Sequence, residues 1–171
     1  MNWNIVKGAC LALLPVAGTL KAQEKPNIVV ILADDLASNE ISCYGGKNLK
    51  TPNIDRIAEE GIRFTNNFAS CAMSVPIRAS LYTGLYPARH GSYQNHKISY
   101  SDIKSVTYYL PQAGYRVGKK KKTHTVPKSV FNFEKVPGFE ANCIAVTADY
   151  TVDGIRDSMR QDSPFCLFVC S

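Results

Sequence analysis

Two adjacent carboxylates, Asp34 and Asp35, follow directly after an apolar run from Ile28 to Ala33. The run is short and rich in β-branched residues, which predicts a strand buried on both faces of a parallel sheet. Ligands of α/β proteins bind beyond the carboxyl ends of such strands, and neighbouring carboxylates there are often shared by a hard divalent cation. Asp34 and Asp35 are therefore candidate metal ligands. The alternative is an acidic exit from the strand with a helix-capping role.

A serine lies just before a predicted short helix. Pro76 favours a first helical turn, so a helix over about 76–81 places Ser74 immediately before the amino terminus. A nucleophile there has free backbone N–H groups beside it that can stabilise an anionic group. Arg78 lies one turn further along and can point back towards Ser74. The pair is a candidate nucleophile with a cationic partner, and an ordinary turn with a capping serine is the alternative.

Four consecutive lysines, Lys119 to Lys122, precede Thr123 and His124. A lysine run usually forms a solvated face, and a lone histidine is usually exposed or hydrogen-bonded. Alternatively, Lys122 and His124, two residues apart on an extended chain, point in the same direction into a site. His90 and His96 have no partner in the sequence and are assigned structural roles, with His96 also a candidate substrate contact.

The elements that would position these residues alternate between strand and helix. Alternation without hairpin signals predicts an α/β fold with a parallel sheet. In the first helix, Ile54, Ile57 and Ala58 form an apolar stripe. The predicted strands lie at about 28–33, 115–117 and 165–170, the helices at about 51–61, 76–81, 105–113 and 149–159, and a long loop at 122–140.

Composition indicates a globular protein. The chain has 171 residues, of which 45% are hydrophobic and 20% charged, and this excludes disordered and fibrous classes. The net charge of +6 comes without a nucleic-acid-binding signature, so it indicates anionic ligands and no nucleic-acid partner. Six cysteines show no zinc-site pattern, and we expect buried or incidental thiols.

Residues 1–22 have the layout of a signal peptide. Lys7 precedes an apolar run from Ala9 to Val16, and small residues follow up to Ala22. The run is too short to span a membrane and contains Pro15, so we expect export to the periplasm or the medium without a membrane span. A short core helix is the alternative.

Taken together, in their order and spacing, these motifs resemble the type I, formylglycine-dependent sulfatase family over nearly all of residues 26–171. Within the family, Lys122-Thr123-His124 with the later Pro127 and Val130–Phe133 is most similar to the heparan N-sulfatase (sulfamidase) branch. The motifs that carry the resemblance are Ala33-Asp34-Asp35, Thr51-Pro52-Asn53-Ile54-Asp55, Ser74-x-Pro76-x-Arg78, Thr83-Gly84, Tyr86-Pro87, Gly114-Tyr115, Gly118 and Lys122-x-His124.

The resemblance implies an alkaline-phosphatase-like α/β fold with a mainly parallel sheet flanked by helices, of which residues 23–171 would be an incomplete N-terminal part. It implies hydrolysis of sulfuric esters or N-sulfates in sulfated glycans, with N-sulfoglucosamine of heparan as the substrate of the most similar branch. It also implies a calcium ion, with magnesium as the alternative, and oxidation of Ser74 to formylglycine. A serine at this position resembles bacterial serine-type members, which depend on a radical maturase.

Roles for the candidate residues follow from the same resemblance. Asp34, Asp35 and the modified Ser74 would bind the metal, and Arg78 would hold the hydrated aldehyde. Lys122 would neutralise sulfate oxygens, and His124 would assist turnover at the nucleophile.

The sequence also departs from the family pattern. Lys119 to Lys121 replace an apolar pair and a glycine, so we expect the strand before Lys122 to be disturbed. The chain ends within a predicted buried strand, which favours a fragment. A phosphoester or phosphonate hydrolase using unmodified Ser74 and an inactive truncated remnant are therefore alternatives to a sulfatase.

Overall fold

A parallel sheet forms the centre of the fold. The computed structural model describes residues 25–120, 122, 124–135 and 163–170. Within them lie four strands, β1 (Ile28–Leu32), β2 (Arg116–Lys120), β3 (Glu134–Lys135) and β4 (Phe165–Cys170). These strands pair in the order β1–β4–β2–β3, all parallel. The predicted parallel α/β fold is confirmed.

Helices flank this sheet. They are α1 (Pro52–Glu60), α2 (Ser74–Thr83), α3 (Pro87–His90) and α4 (Val106–Gln112), and two 3₁₀ turns occupy Ser38–Glu40 and Ser42–Tyr44. The sequence did not predict α3, β3 or the two turns, all of which are short. The predicted signal peptide (1–22) and the predicted helix over 149–159 lie outside the described residues. No described helix is long and apolar enough to cross a membrane.

The two apolar strands differ in burial. β4 is paired on both sides, by β1 and β2, and five of its six residues are buried. β1 forms an edge of the described sheet, where Val29 is 42% and Ile31 70% exposed. The prediction of burial on both faces is therefore wrong for β1, because its outward side chains lie on a face that no described element covers.

The first two lysines of the run, Lys119 and Lys120, belong to β2 instead of forming a solvated face. Lys120 is only 4% exposed, and the ammonium of Lys119 lies 4.4 Å from the ring centroid of Phe133 and 5.1 Å from that of Tyr82. The predicted disturbance of the strand is thus wrong up to Lys120, because aromatic rings accommodate the Lys119 side chain. Burial lowers the pKa of Lys119 to about 8.

Aromatic packing fixes α2 against the sheet. The ring of Tyr82 meets Phe133 edge-on at 4.9 Å and Phe168 at 5.2 Å, and it is fully buried. Ala79 and Val117 belong to the same core cluster. Because Tyr82 lies on the same helix as Ser74 and Arg78, this packing also fixes the position of those two residues.

Polar contacts, not apolar ones, anchor the start of α1. The predicted apolar stripe is largely outside the core, since Ile54 is 38% and Ile57 64% exposed. Instead, Asp55 accepts hydrogen bonds from the Ser42 hydroxyl at 2.6 Å and the Cys43 N–H at 2.8 Å. The hydroxyl of Thr51 donates to the same carboxylate at 3.2 Å.

Four cysteines are described, and all are free thiols, as expected. Cys166 and Cys170 are buried in β4, whereas Cys43 and Cys71 are partly exposed. Cys10 and Cys143 lie outside the described residues.

Candidate active site

Parallel pairing brings the ends of β1 and β2 to one edge of the sheet. Both strands pair with β4 in the same direction, so the residues that follow their carboxyl ends lie on the same side. Asp34 comes two residues after β1, and Lys122 two residues after β2. The amino terminus of α2 adds Ser74 at the same edge.

Asp34 is shared by two cations. Arg78 Nη2 lies 3.0 Å from Asp34 Oδ1, and Lys122 Nζ donates to Asp34 Oδ2. The Arg78 side chain is only 5% exposed, against 27% for Asp34. The hydrogen bond from Lys122, followed by that from Arg78, holds the pKa of Asp34 below its usual value against the opposing effect of burial. The carboxylate therefore stays ionised at neutral pH.

Asp34, Arg78 and Lys122 form what is here called the ion cluster, and Arg78 links it to Ser74. Its Nε donates a hydrogen bond to Ser74 Oγ at 3.3 Å, one helical turn back. Nη1 of the same guanidinium is buried and has no hydrogen-bond partner among the described residues. One rigid guanidinium thus contacts both the candidate nucleophile and the carboxylate, and it has a donor left for a further acceptor.

The backbone amides beside Ser74 are not the anion site that the sequence predicted. α2 begins at Ser74 itself, with Met73 as the N-cap residue. The Val75 N–H donates to Asn95 Oδ1 at 3.1 Å, and the Ile77 N–H donates to the Met73 carbonyl at 3.1 Å. Pro76 has no N–H. These three positions are therefore not free for an anion, and the cations at this edge are the side chains of Arg78 and Lys122.

His124 is exposed, and the charges of the ion cluster act on it. Partial burial is the largest cause that lowers the pKa of His124, and the charges of Lys122, Arg78 and His96 lower this pKa further. The imidazole is accordingly neutral at neutral pH and can accept a proton. The charge of Lys122 therefore acts on His124, and the shared direction of the two side chains stays a prediction from their spacing.

Asp35 stands apart from the ion cluster. It is exposed, and its φ of 54° lies in the left-handed region, which non-glycine residues adopt mainly at turns and functional sites. Asp34, Ser74, Arg78 and Lys122 are joined by direct contacts, whereas Asp35 is their sequence neighbour only.

The described residues do not complete a calcium site. Among them, no group of three or more histidine, cysteine or acidic residues is placed to hold a metal ion. Calcium takes about six to eight oxygen ligands, more than Asp34, Asp35 and Ser74 supply. Both oxygens of Asp34 are also bound by cations.

A buried histidine, His90, contacts α2 through Ser80. His90 is fully buried, its Nδ1 accepts the Ser92 N–H at 3.1 Å, and its Nε2 lies 3.0 Å from Ser80 Oγ. Since Nδ1 is an acceptor, the neutral ring carries its proton on Nε2 and donates to Ser80. The sequence offered no partner for His90 because both contacts depend on the tertiary fold. The contact between Asn95 and Val75 has no sequence signal either.

Comparison with known sequences places the chain in a family. A family model described as "Sulfatase" matches residues 26–163. An ulvan-active sulfatase of Formosa agariphila is 38% identical over 154 residues, which are 86% of this chain and 30% of that protein. An N-acetylglucosamine-6-O-sulfatase of Bacteroides thetaiotaomicron is 40% identical over 119 residues, 69% of this chain and 21% of that protein. The chain thus spans less than a third of either relative.

Solved structures share the architecture. A protein in complex with its substrate D-glucosamine-2-N,6-O-disulfate superimposes with a TM-score of 0.71 at 30% identity, over 86% of this chain and 34% of that one. A phosphonate monoester hydrolase of Agrobacterium radiobacter has the same TM-score of 0.71 at 22% identity, over 85% of this chain and 40% of that one, and shows the fold alone. The alkaline-phosphatase-like fold predicted from the sequence is confirmed. By the family match and the fold, the chain belongs to the sulfatase family.

Proposed function

We propose that this chain carries the nucleophile-bearing part of a sulfatase active site that hydrolyses sulfuric esters or N-sulfates of sulfated glycans. The observation that carries the proposal is the position of Arg78, which contacts Ser74 Oγ at 3.3 Å and Asp34 Oδ1 at 3.0 Å. A transferring sulfate needs a nucleophile with cations around it, and Ser74, Arg78 and Lys122 provide that combination. The named relatives act on ulvan and on 6-O-sulfated N-acetylglucosamine.

Each candidate side chain has its own role in the proposed hydrolysis of the sulfate. Ser74, converted to formylglycine by a radical serine-type maturase, supplies in its hydrated form a hydroxyl that attacks sulfur, while the bond from sulfur to the sugar breaks and the sugar leaves as an alcohol or amine. The second hydroxyl of the hydrate then gives up its proton, sulfate is expelled, and the aldehyde is restored. Arg78 holds the oxygen of residue 74 through Nε. Lys122 neutralises charge on the sulfate oxygens, and the neutral ring of His124 exchanges a proton at the nucleophile.

The metal assignment rests on the family resemblance. Asp34, Asp35 and Ser74 are the residues that would contribute ligands to calcium, or to magnesium as the alternative. A complete calcium site requires further oxygens from outside the described residues. An exported location after removal of residues 1–22, with 23–171 as part of the catalytic domain, is proposed from the leader-like sequence alone.

Two possible substrates differ in the position of the sulfate that is removed, the nitrogen or the 6-oxygen of glucosamine. The sulfamidase-like motif around Lys122 and His124 favours the N-sulfate of glucosamine. One of the solved structures that resemble this chain is a complex with its substrate D-glucosamine-2-N,6-O-disulfate, which carries both an N-sulfate and a 6-O-sulfate. This disulfated sugar therefore serves as one probe for both activities.

The test uses the full chain co-expressed with a radical maturase. Peptide mass spectrometry first measures whether residue 74 has lost two hydrogens. The chain is then incubated with D-glucosamine-2-N,6-O-disulfate, and the products are identified by mass spectrometry, with Ser74→Ala as the control. We expect sulfate release with a free amine, and loss of the 6-O-sulfate instead would contradict the sulfamidase assignment only.

Two further results would contradict the wider proposal. The first is no sulfate release after confirmed conversion of Ser74. The second is hydrolysis of a phenyl phosphonate monoester by the chain with unmodified Ser74, which would favour the phosphonate hydrolase alternative.

A further inference from the structure

A loop formed by residues 92–99, here called the bridging loop, joins the two segments that carry the candidate site. On one side, Asn95 Oδ1 accepts the N–H of Val75 at 3.1 Å in the first turn of α2. On the other side, the N–H of Ser99 donates to the carbonyl of Val126 at 2.9 Å, two residues after His124. The loop therefore contacts both the Ser74 segment and the His124 segment.

The bridging loop is also held internally. Ser92 Oγ donates to the Lys97 carbonyl at 3.0 Å, and the Lys97 N–H donates to the Gln94 carbonyl at 3.2 Å. At its base, the Ser92 N–H donates to the buried ring of His90. These bonds fix the backbone on both sides of residues 95 and 96.

His96 stands at the tip of this loop in a strained conformation. Its φ of 67° is left-handed, which is uncommon for a residue with a side chain and is found where the surroundings impose it, often at binding sites. Because the bridging loop is bonded to both site segments, His96 lies beside the candidate site, and its exposed side chain is open to a ligand.

We propose that the bridging loop is part of the substrate site, in which Asn95 positions Ser74 through the first turn of α2 and His96 contacts the sugar that carries the sulfate. This inference rests on the proposed function. Arg78 and Lys122 already provide the cations for the sulfate itself, so the imidazole of His96 is left to hydrogen-bond a hydroxyl of the sugar ring. Asn95 is accordingly a positioning residue, and His96 a specificity-determining one.

The contribution of His96 is measured with His96→Gly. Glycine keeps the left-handed backbone without strain, so the variant removes the ring and not the loop conformation. One lost hydrogen bond to the sugar raises the KM for glucosamine-2-N,6-O-disulfate about tenfold. The kcat/KM for 4-nitrophenyl sulfate, which has no sugar, stays unchanged. Ser101→Ala, at an exposed position just outside the loop, is the matched control and changes neither value.

The contribution of Asn95 is measured with Asn95→Ala. Loss of the acceptor frees the first turn of α2, so kcat falls on the order of tenfold for both the sugar and the aryl substrate. Hydrogen exchange at the Val75 amide becomes faster, while exchange in β4 does not change. Asn95→Asp retains the acceptor and restores both values.

Specific results overturn the inference. An equal rise in KM for the aryl sulfate would contradict a sugar contact by His96, and unchanged exchange at Val75 in Asn95→Ala would contradict the positioning role. If the wild-type chain releases no sulfate from either substrate, the proposed function fails. The loop is then tested by calorimetric binding of the disulfated glucosamine, where no binding, or equal affinity in wild type and His96→Gly, overturns the inference by itself.

Discussion

Two carboxylates with lowered pKa values occupy different surroundings in this molecule. Asp34, after β1, is held ionised by hydrogen bonds from Lys122 and Arg78. Asp55, in the first turn of α1, is held ionised by the hydroxyl of Ser42 and the N–H of Cys43, with Thr51 adding a further hydroxyl. The first carboxylate is bound by charged donors and the second by neutral ones.

The difference separates a reactive region from a structural one. Around Asp34, two cations face one anion, which leaves positive charge for a further anionic group such as sulfate. Around Asp55, neutral donors reach both carboxylate oxygens and tie the turn at Ser42 to the start of α1. Equal pKa directions therefore do not imply equal roles, and the type of donor distinguishes them.

The largest expected effect is on turnover, with Arg78→Ala. The variant removes the contacts to Ser74 and Asp34 together, and we expect kcat/KM for the sulfated sugar to fall about a thousandfold. Arg78→Lys does not rescue, because an ammonium lacks the fork that reaches both partners. Steady-state kinetics on maturase-treated chains measures this. Rescue by lysine would show that positive charge alone suffices and would contradict a need for the guanidinium fork that reaches both Ser74 and Asp34.

Asp34→Asn tests whether the two cations form an anion site. The variant leaves Arg78, whose side chain is 5% exposed, without its counter-charge and lowers the free energy of unfolding by about 2 kcal/mol. Added sodium sulfate should then raise the melting temperature of Asp34→Asn more than that of wild type, because the anion replaces the lost carboxylate. Sulfate also stabilises folded proteins in general, so Asp55→Asn under the same salt is the control. Equal shifts in both variants would contradict an anion site.

Lys119 extends the comparison to a cation packed between aromatic rings. Burial lowers its pKa from 10.5 to about 8, so the unfolded chain binds this proton more tightly than the folded one. Stability therefore increases as the pH rises from about 8 to 10.5, and the full penalty applies below pH 8. The shift corresponds to about 3 kcal/mol, and the attraction of the rings reduces it, so we expect Lys119→Met to stabilise the chain by about 2 kcal/mol at pH 7.

Urea unfolding at pH 7 and pH 10 measures the effect of Lys119→Met. Lys104, which is exposed and lies 4.7 Å from the ring of Tyr108, provides the matched control Lys104→Met. We expect the control to change stability by less than about 0.5 kcal/mol at either pH. A Lys119→Met variant that is less stable than wild type at pH 7 would mean that the rings outweigh the loss of solvent.

The sequence predicted the elements whose signal is local. The β-branched run of β1 and the Pro76 turn of α2 identify a strand and a helix, although α2 begins two residues earlier than predicted. The family resemblance placed Asp34, Ser74, Arg78 and Lys122 in one site, and the structure brings these four into contact. Local pattern and motif order are enough for that level of description.

Features that depend on neighbours far along the chain were not predictable. The lysine run enters β2 because Phe133 and Tyr82 surround Lys119, and no local pattern signals this. The exposure of Ile57 depends on which elements cover α1, and the sequence alone does not reveal them. The same holds for Asn95, whose contact with Val75 spans 20 positions of the chain.

The smallest expected effect is that of Asp55→Asn, which tests the structural side of the comparison. Because Asp55 lies outside the ion cluster, kcat should change less than about twofold. Its folded pKa lies below the ordinary 3.8, so its contribution to stability is present above that pH and is lost as the pH falls through the lower folded value. Thermal unfolding between neutral and acidic pH should therefore show a shallower decline below pH 3.8 in Asp55→Asn than in wild type. A kcat that falls as far as in Arg78→Ala would place Asp55 in the reactive region after all.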